Sequence, residues 1–98
     1  LSANEQVAFN CSVSPGTRMV TNQFWVTKGQ TIHVAATSTP DSSKFWIGIM
    51  DGLNNARYVE GSGNLSHGFS ITSSGHYRVF VQNRSSVQIN AVGSYYFN

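Results

Sequence analysis

The chain has 98 residues, of which 40% are apolar and only 10% charged, against about a quarter charged in a typical globular protein. That length suits one domain with one modest core. Six Lys and Arg against four Asp and Glu give a formal charge of +2. The bases Arg18, Lys28, Lys44, Arg57, Arg78 and Arg84 are spread along the chain with no run, a pattern that argues against nucleic-acid capture.

The polar share is carried by 14 Ser, 7 Thr and 9 Asn. Such a surface fits strands whose hydroxyl side chains face solvent. No apolar run approaches the roughly 20 residues of a membrane-spanning helix. The composition, together with a start at Leu1 rather than Met, leads to the expectation of a secreted, extracellular protein. Cys11 is the single cysteine, so no intrachain disulfide forms and stability must come from the core.

In chain order, residues 6–13 alternate Val7, Phe9, Cys11 and Val13 against Ala8, Asn10 and Ser12. This is the period-two pattern of a half-buried strand. It makes Cys11 a small buried hydrophobe rather than a reactive thiol. Ser14-Pro15-Gly16 is a turn, and Thr17–Thr21 has no clear pattern. Gln23–Thr27 reads as a short strand. Lys28-Gly29 turns the chain into a long strand, Gln30–Thr39, with Ile32, Val34 and Ala36 inward and Thr31 and His33 outward.

Lys44–Asp51 is apolar on both faces, with Phe45, Ile47 and Ile49 on one and Trp46 and Met50 on the other. That marks a central strand, or one whose outer face is covered or used. Short strands are expected at Arg57–Glu60 and Leu65–Thr72, with turns at Asp51–Asn55 and Gly61–Asn64. Ser73–Phe97 reads as a hairpin. Tyr77, Val79 and Val81 share a face, Asn83-Arg84-Ser85-Ser86 turns it, and Val87, Ile89 and Ala91 resume the alternation. Gly93-Ser94 is a candidate bulge.

Eight strands with a turn every 8–12 residues predict a single all-β domain over residues 1–98, a β-sandwich that is jelly-roll-like or immunoglobulin-like. Gly75-His76-Tyr77 followed by Val79 resembles the immunoglobulin strand that carries a tyrosine corner, with Cys11 and Trp46 standing for that family's cysteine and core tryptophan. The second cysteine is absent, Val79 occupying its place. The running order of residues 21–97 is similar to the small secreted bacterial sandwiches of the pre-peptidase C-terminal type. The shared features are an aromatic strand (Phe24-Trp25-Val26), the long strand after Gly29, the strand ending at Asp51-Gly52, a Gly-x-Tyr strand and a last strand ending in aromatics. The resemblance implies a non-catalytic module that binds matrix or polysaccharide. Its calcium-binding members need clustered acids, and Glu5, Asp41, Asp51 and Glu60 are scattered here.

Four carboxylates and three histidines offer no paired acids, no nucleophile elbow and no close metal-ligand spacing. No enzyme activity, metal or cofactor is therefore expected. Asn10, Asn64 and Asn83 open N-glycosylation patterns at about the frequency that this composition gives by chance. The informative surplus is aromatic. With Phe45 and Tyr77 inward, Trp46, Met50, Phe80, Arg78 and His33 all point outward, and on one sheet they would form a ligand-binding patch. The alternatives are a covered face or an inverted phase for Trp46.

The functional expectation is a secreted binding module for a polysaccharide or a cell-surface protein. A small antimicrobial, toxin-like or inhibitory protein is the alternative. The sequence leaves the oligomeric state open.

Overall fold

The computed structural model describes residues 1–98. Nine strands form: β1 (Val7–Val13), β2 (Arg18–Val20), β3 (Phe24–Val26), β4 (Thr31–Thr39), β5 (Lys44–Met50), β6 (Ala56–Ser62), β7 (Asn64–Ser70), β8 (Gly75–Asn83) and β9 (Ile89–Phe97). No helix interrupts them. The strand beyond the expected eight is β2, three residues in the patternless Thr17–Thr21 stretch.

Two antiparallel sheets pack face to face. One has the order β1-β9-β4-β7, and the other β2-β8-β5-β6 with β3 also paired to β8. Counting β2 and β3 as one interrupted strand, this is the strand order of a double Greek-key jelly roll. Every connection except β2–β3 and β5–β6 passes from one sheet to the other. Alternation supplies the core, with Ile32 and Val34 of β4, Ile89, Tyr95 and Phe97 of β9, Phe45, Ile47 and Ile49 of β5, and Val79 and Val81 of β8 buried together. β8 is the hub of its sheet, pairing with β2, β3 and β5.

Ser73–Phe97 is not a hairpin. Its two strands lie in different sheets and face each other across the core. The reason is local and lies at Asn83. Its side chain is fully buried. The amide donates to the Val13 and Val87 carbonyls, at 2.9 and 2.7 Å, and its oxygen accepts from the Ser85 backbone and hydroxyl. This node ties the end of β1 to the β8–β9 link and sends the chain over to the opposite sheet. Val87, expected inward, lies on that link and is exposed.

The β7–β8 link is another crossing. There the Tyr77 hydroxyl donates to the Ser73 carbonyl four residues upstream, the geometry of a tyrosine corner. Gly93 does not bulge the last strand, because β9 keeps unbroken register with both β1 and β4. Its missing side chain instead makes room for the Phe9 ring, 2.7 Å from where a Cβ would stand. Cys11, expected to be buried, is half-buried against the core, and that burial pushes its thiol pKa up.

Candidate functional site

The outer face of the β2-β8-β5-β6 sheet carries the concentration of aromatic and cationic side chains. Register sets it in rows across the strands. Arg18, Gln82, Trp46 and Glu60 form one row, and Val20, Phe80, Gly48 and Tyr58 the next. Arg78, Met50 and Ala56 form a third. Side chains two residues apart on a strand share a face, so Lys44 joins Trp46, and Arg84 follows at the end of β8.

Trp46 stands at the centre of a stack. The Tyr58 ring is 3.9 Å away at an interplanar angle of 17°, and the Arg84 guanidinium lies 4.5 Å from the indole centroid. Both cannot occupy one face of the indole, so Trp46 is held between them. Its Nε1–H donates to Glu60 Oε1 at 2.9 Å across the β5–β6 pair. The half-buried indole is thereby fixed edge-up, and Tyr58 presents a free ring face at 48% exposure. Stacking on one face and cation–π attraction on the other make this a preorganised unit.

Phe80 is outward, as the alternation predicts, but it is not exposed. It is fully buried, because it lies over Gly48, where a Cβ would meet its ring at 2.6 Å. Arg18 then covers it, the guanidinium 4.5 Å above the ring. That guanidinium is held by Gln82 Oε1 and by Met50 Sδ at 3.4 Å. Arg78 donates to the Thr21 carbonyl. The guanidiniums of Arg18, Arg78 and Arg84 thus engage amides, carbonyls, sulfur and rings, and none is hydrogen-bonded to a carboxylate.

Of the five outward residues expected to form one patch, Trp46, Met50, Phe80 and Arg78 share this face, with Phe80 as its covered floor. His33 does not join them. It lies on β4 in the other sheet, stacked on Tyr96 at 4.6 Å and hydrogen-bonded to Asn98. Alternation assigned it an outer face correctly and is silent on which sheet owns that face. There His33 borders a shallow hollow of about 520 Å³ floored by Ala35, Ser66, Gly68 and Ser94. His67 is exposed on the edge strand β7, its ring edge-on to Phe69.

The sequence reading missed Tyr58, Glu60, Arg84, Arg18 and Lys44. A signal existed for two of them. In Arg57–Glu60 alternation puts Tyr58 and Glu60 on one face, and the Asp51–Asn55 turn folds them back beside Trp46. Nothing local marked Arg18 or Arg84.

A hollow of about 350 Å³ opens beside this sheet between Trp25, His76, Tyr77 and Asp51. Trp25 is exposed and packs edge-on against His76. The Asp51 carboxylate accepts from the Asn55 backbone and side chain and from the Leu53 backbone, which holds its pKa below the usual range. No three His, Cys, Asp or Glu side chains are gathered as metal ligands.

No protein-family model matches the chain, and no curated protein sequence does either. Solved structures that match include a family two carbohydrate esterase from Cellvibrio japonicus, 13% identical, with a TM-score of 0.41 over 96% of this chain and 34% of that one. The chain thus spans about a third of that protein's length.

Proposed function

We propose that this protein is a secreted, non-catalytic binding module that recognises carbohydrate on a cell surface or matrix through the outer face of the β2-β8-β5-β6 sheet. One observation carries the reading. Tyr58 offers a free ring face, locked in place by Trp46, Glu60 and Arg84, and hydrogen-bonding groups flank it. A sugar ring stacks its apolar face on an aromatic ring while its hydroxyls seek donors and acceptors, and little is lost to ordering when the platform is already rigid. The secreted location is supported by the Ser-, Thr- and Asn-rich composition.

Retardation in native gels cast with individual polysaccharides tests it. The wild type is expected to be slowed by at least one polymer, and Tyr58→Ala to lose about tenfold in affinity, the equivalent of about 1.4 kcal/mol. A protein slowed equally with and without Tyr58, or by no polymer, contradicts the reading.

A further inference from the structure

Resting on that reading of the site, we infer that its ligand is an acidic polysaccharide, whose carboxylate or sulfate groups are bound by Arg18, Lys44, Arg78 and Arg84. The bases are dispersed in sequence but gathered in space. Four of the six sit on this one face with a single acid, Glu60, giving a local charge of 4 − 1 = +3. The remaining residues carry Lys28 and Arg57 against Glu5, Asp41 and Asp51, 2 − 3 = −1, and the two sum to the chain's +2.

The opposite sheet makes the contrast. Its outward positions, Ala8, Asn10 and Ser12 on β1, Thr31 to Thr39 in alternation on β4, Asn64 to Ser70 in alternation on β7, and Asn90 to Tyr96 in alternation on β9, include no Lys, Arg, Asp or Glu. Of the two outer faces of the sandwich, only this one thus carries charged strand side chains, and its net charge is positive.

The arrangement also has direction. Arg84 and Lys44 lie at one end of the face, Arg18 in the middle and Arg78 toward the other end. Arg84, just past the end of β8, is six residue steps from Arg78, about 20 Å of extended chain. An extended polyanion lying along β8 and β5 meets cations throughout that span, with Tyr58 beside the path. Arg84, whose guanidinium makes no hydrogen bond, and Arg78, bonded only through Nη1, keep planar, forked donors for bidentate pairing with a carboxylate or sulfate.

Nucleic acid shares the charge but suits the face less well. A single strand stacks successive bases on successive ring faces, and between Arg84 and Arg78 Trp46 is enclosed on both sides and Phe80 is covered, which leaves Tyr58 as the one open ring beside that path.

The experiment compares polygalacturonate, its fully methyl-esterified and so uncharged form, heparin, and single-stranded DNA by calorimetry at low and high NaCl. Binding to polygalacturonate or heparin is expected, the two arms distinguishing carboxylate from sulfate. It should fall about tenfold or more as screening rises. The esterified polymer should bind at least tenfold more weakly. Lys44→Gln/Arg84→Gln should lose about tenfold, while Lys28→Gln on the β3–β4 turn should match the wild type, and circular dichroism confirms that each variant is folded.

Equal, salt-independent binding of the esterified polymer overturns the acidic ligand and leaves the sugar-binding face standing. Binding to no polysaccharide removes both. DNA bound as tightly as the acidic glycans, or acidic binding unchanged in the double variant, also overturns the inference.

Discussion

At the scale of single residues, two buried polar side chains with opposite circumstances show what the fold rewards. Asn83 and Ser38 are almost equally inaccessible, at 0% and 1%. The Asn83 amide satisfies two carbonyls and anchors Ser85, whereas the Ser38 hydroxyl has no partner. Removing a bonded group strands its partners, and removing an unbonded one releases a desolvation cost. Asn83→Ala is expected to lower stability by about 3 kcal/mol. Ser38→Ala is expected to leave it unchanged or raise it, by about 1 kcal/mol at most. Urea unfolding of both variants measures the difference directly.

Asp51 supplies the pH dependence at the same scale. Three N–H groups donate to its carboxylate, so its folded-state pKa lies below the ordinary value. A lowered carboxylate pKa stabilises the fold above the unfolded value, about 3.9, and that contribution is lost as pH falls through the lowered folded value. An NMR titration should show Asp51 protonating below the free-aspartate value, together with loss of order at the Asp51–Asn55 turn. An Asp51 midpoint at or above the free-aspartate value would contradict this.

At the scale of elements, much of the chain was legible because alternation reports which side of a strand is buried. It placed Ile32, Val34, Phe45, Ile47 and Ile49 inward and Trp46, Met50 and Arg78 outward, as the structure has them. It failed where two different arrangements share one pattern. A hairpin and a pair of strands facing each other across a sandwich alternate identically, so Ser73–Phe97 could not be told apart without the buried Asn83 bonds. The site was half legible for the same reason. His33 was given the right phase and the wrong sheet, and Phe80 the right direction without its cover. That cover comes from Arg18, 62 positions earlier in the chain, and no local pattern encodes it.

Gly48 is the element-scale test of this outer layer. An added Cβ would press on the Phe80 ring and on the Arg57 carbonyl. Overpacking of this kind costs about 1–3 kcal/mol. Gly48→Ala should therefore destabilise the fold, lift Phe80 and Arg18, and weaken ligand binding while Tyr58 is untouched. Thermal melting and a binding titration on the same variant check both halves.

At the scale of the whole molecule, the jelly roll separates two outer surfaces of different character. One is cationic and aromatic, with a rigid Tyr58–Trp46–Arg84 stack. The other is an uncharged field of Ser, Thr, Asn and Ala around His33 and Tyr96. The core needs only the inner faces, so its packing does not explain why the bases are gathered on one outside. Ligand is expected to meet the cationic sheet. The most direct measurement is amide chemical-shift mapping as polygalacturonate or heparin is titrated into the labelled protein. Shifts are expected across residues 44–50, 56–62 and 78–84. Shifts confined to residues 31–37, 64–68 and 92–96 would place binding on the opposite sheet and contradict the account.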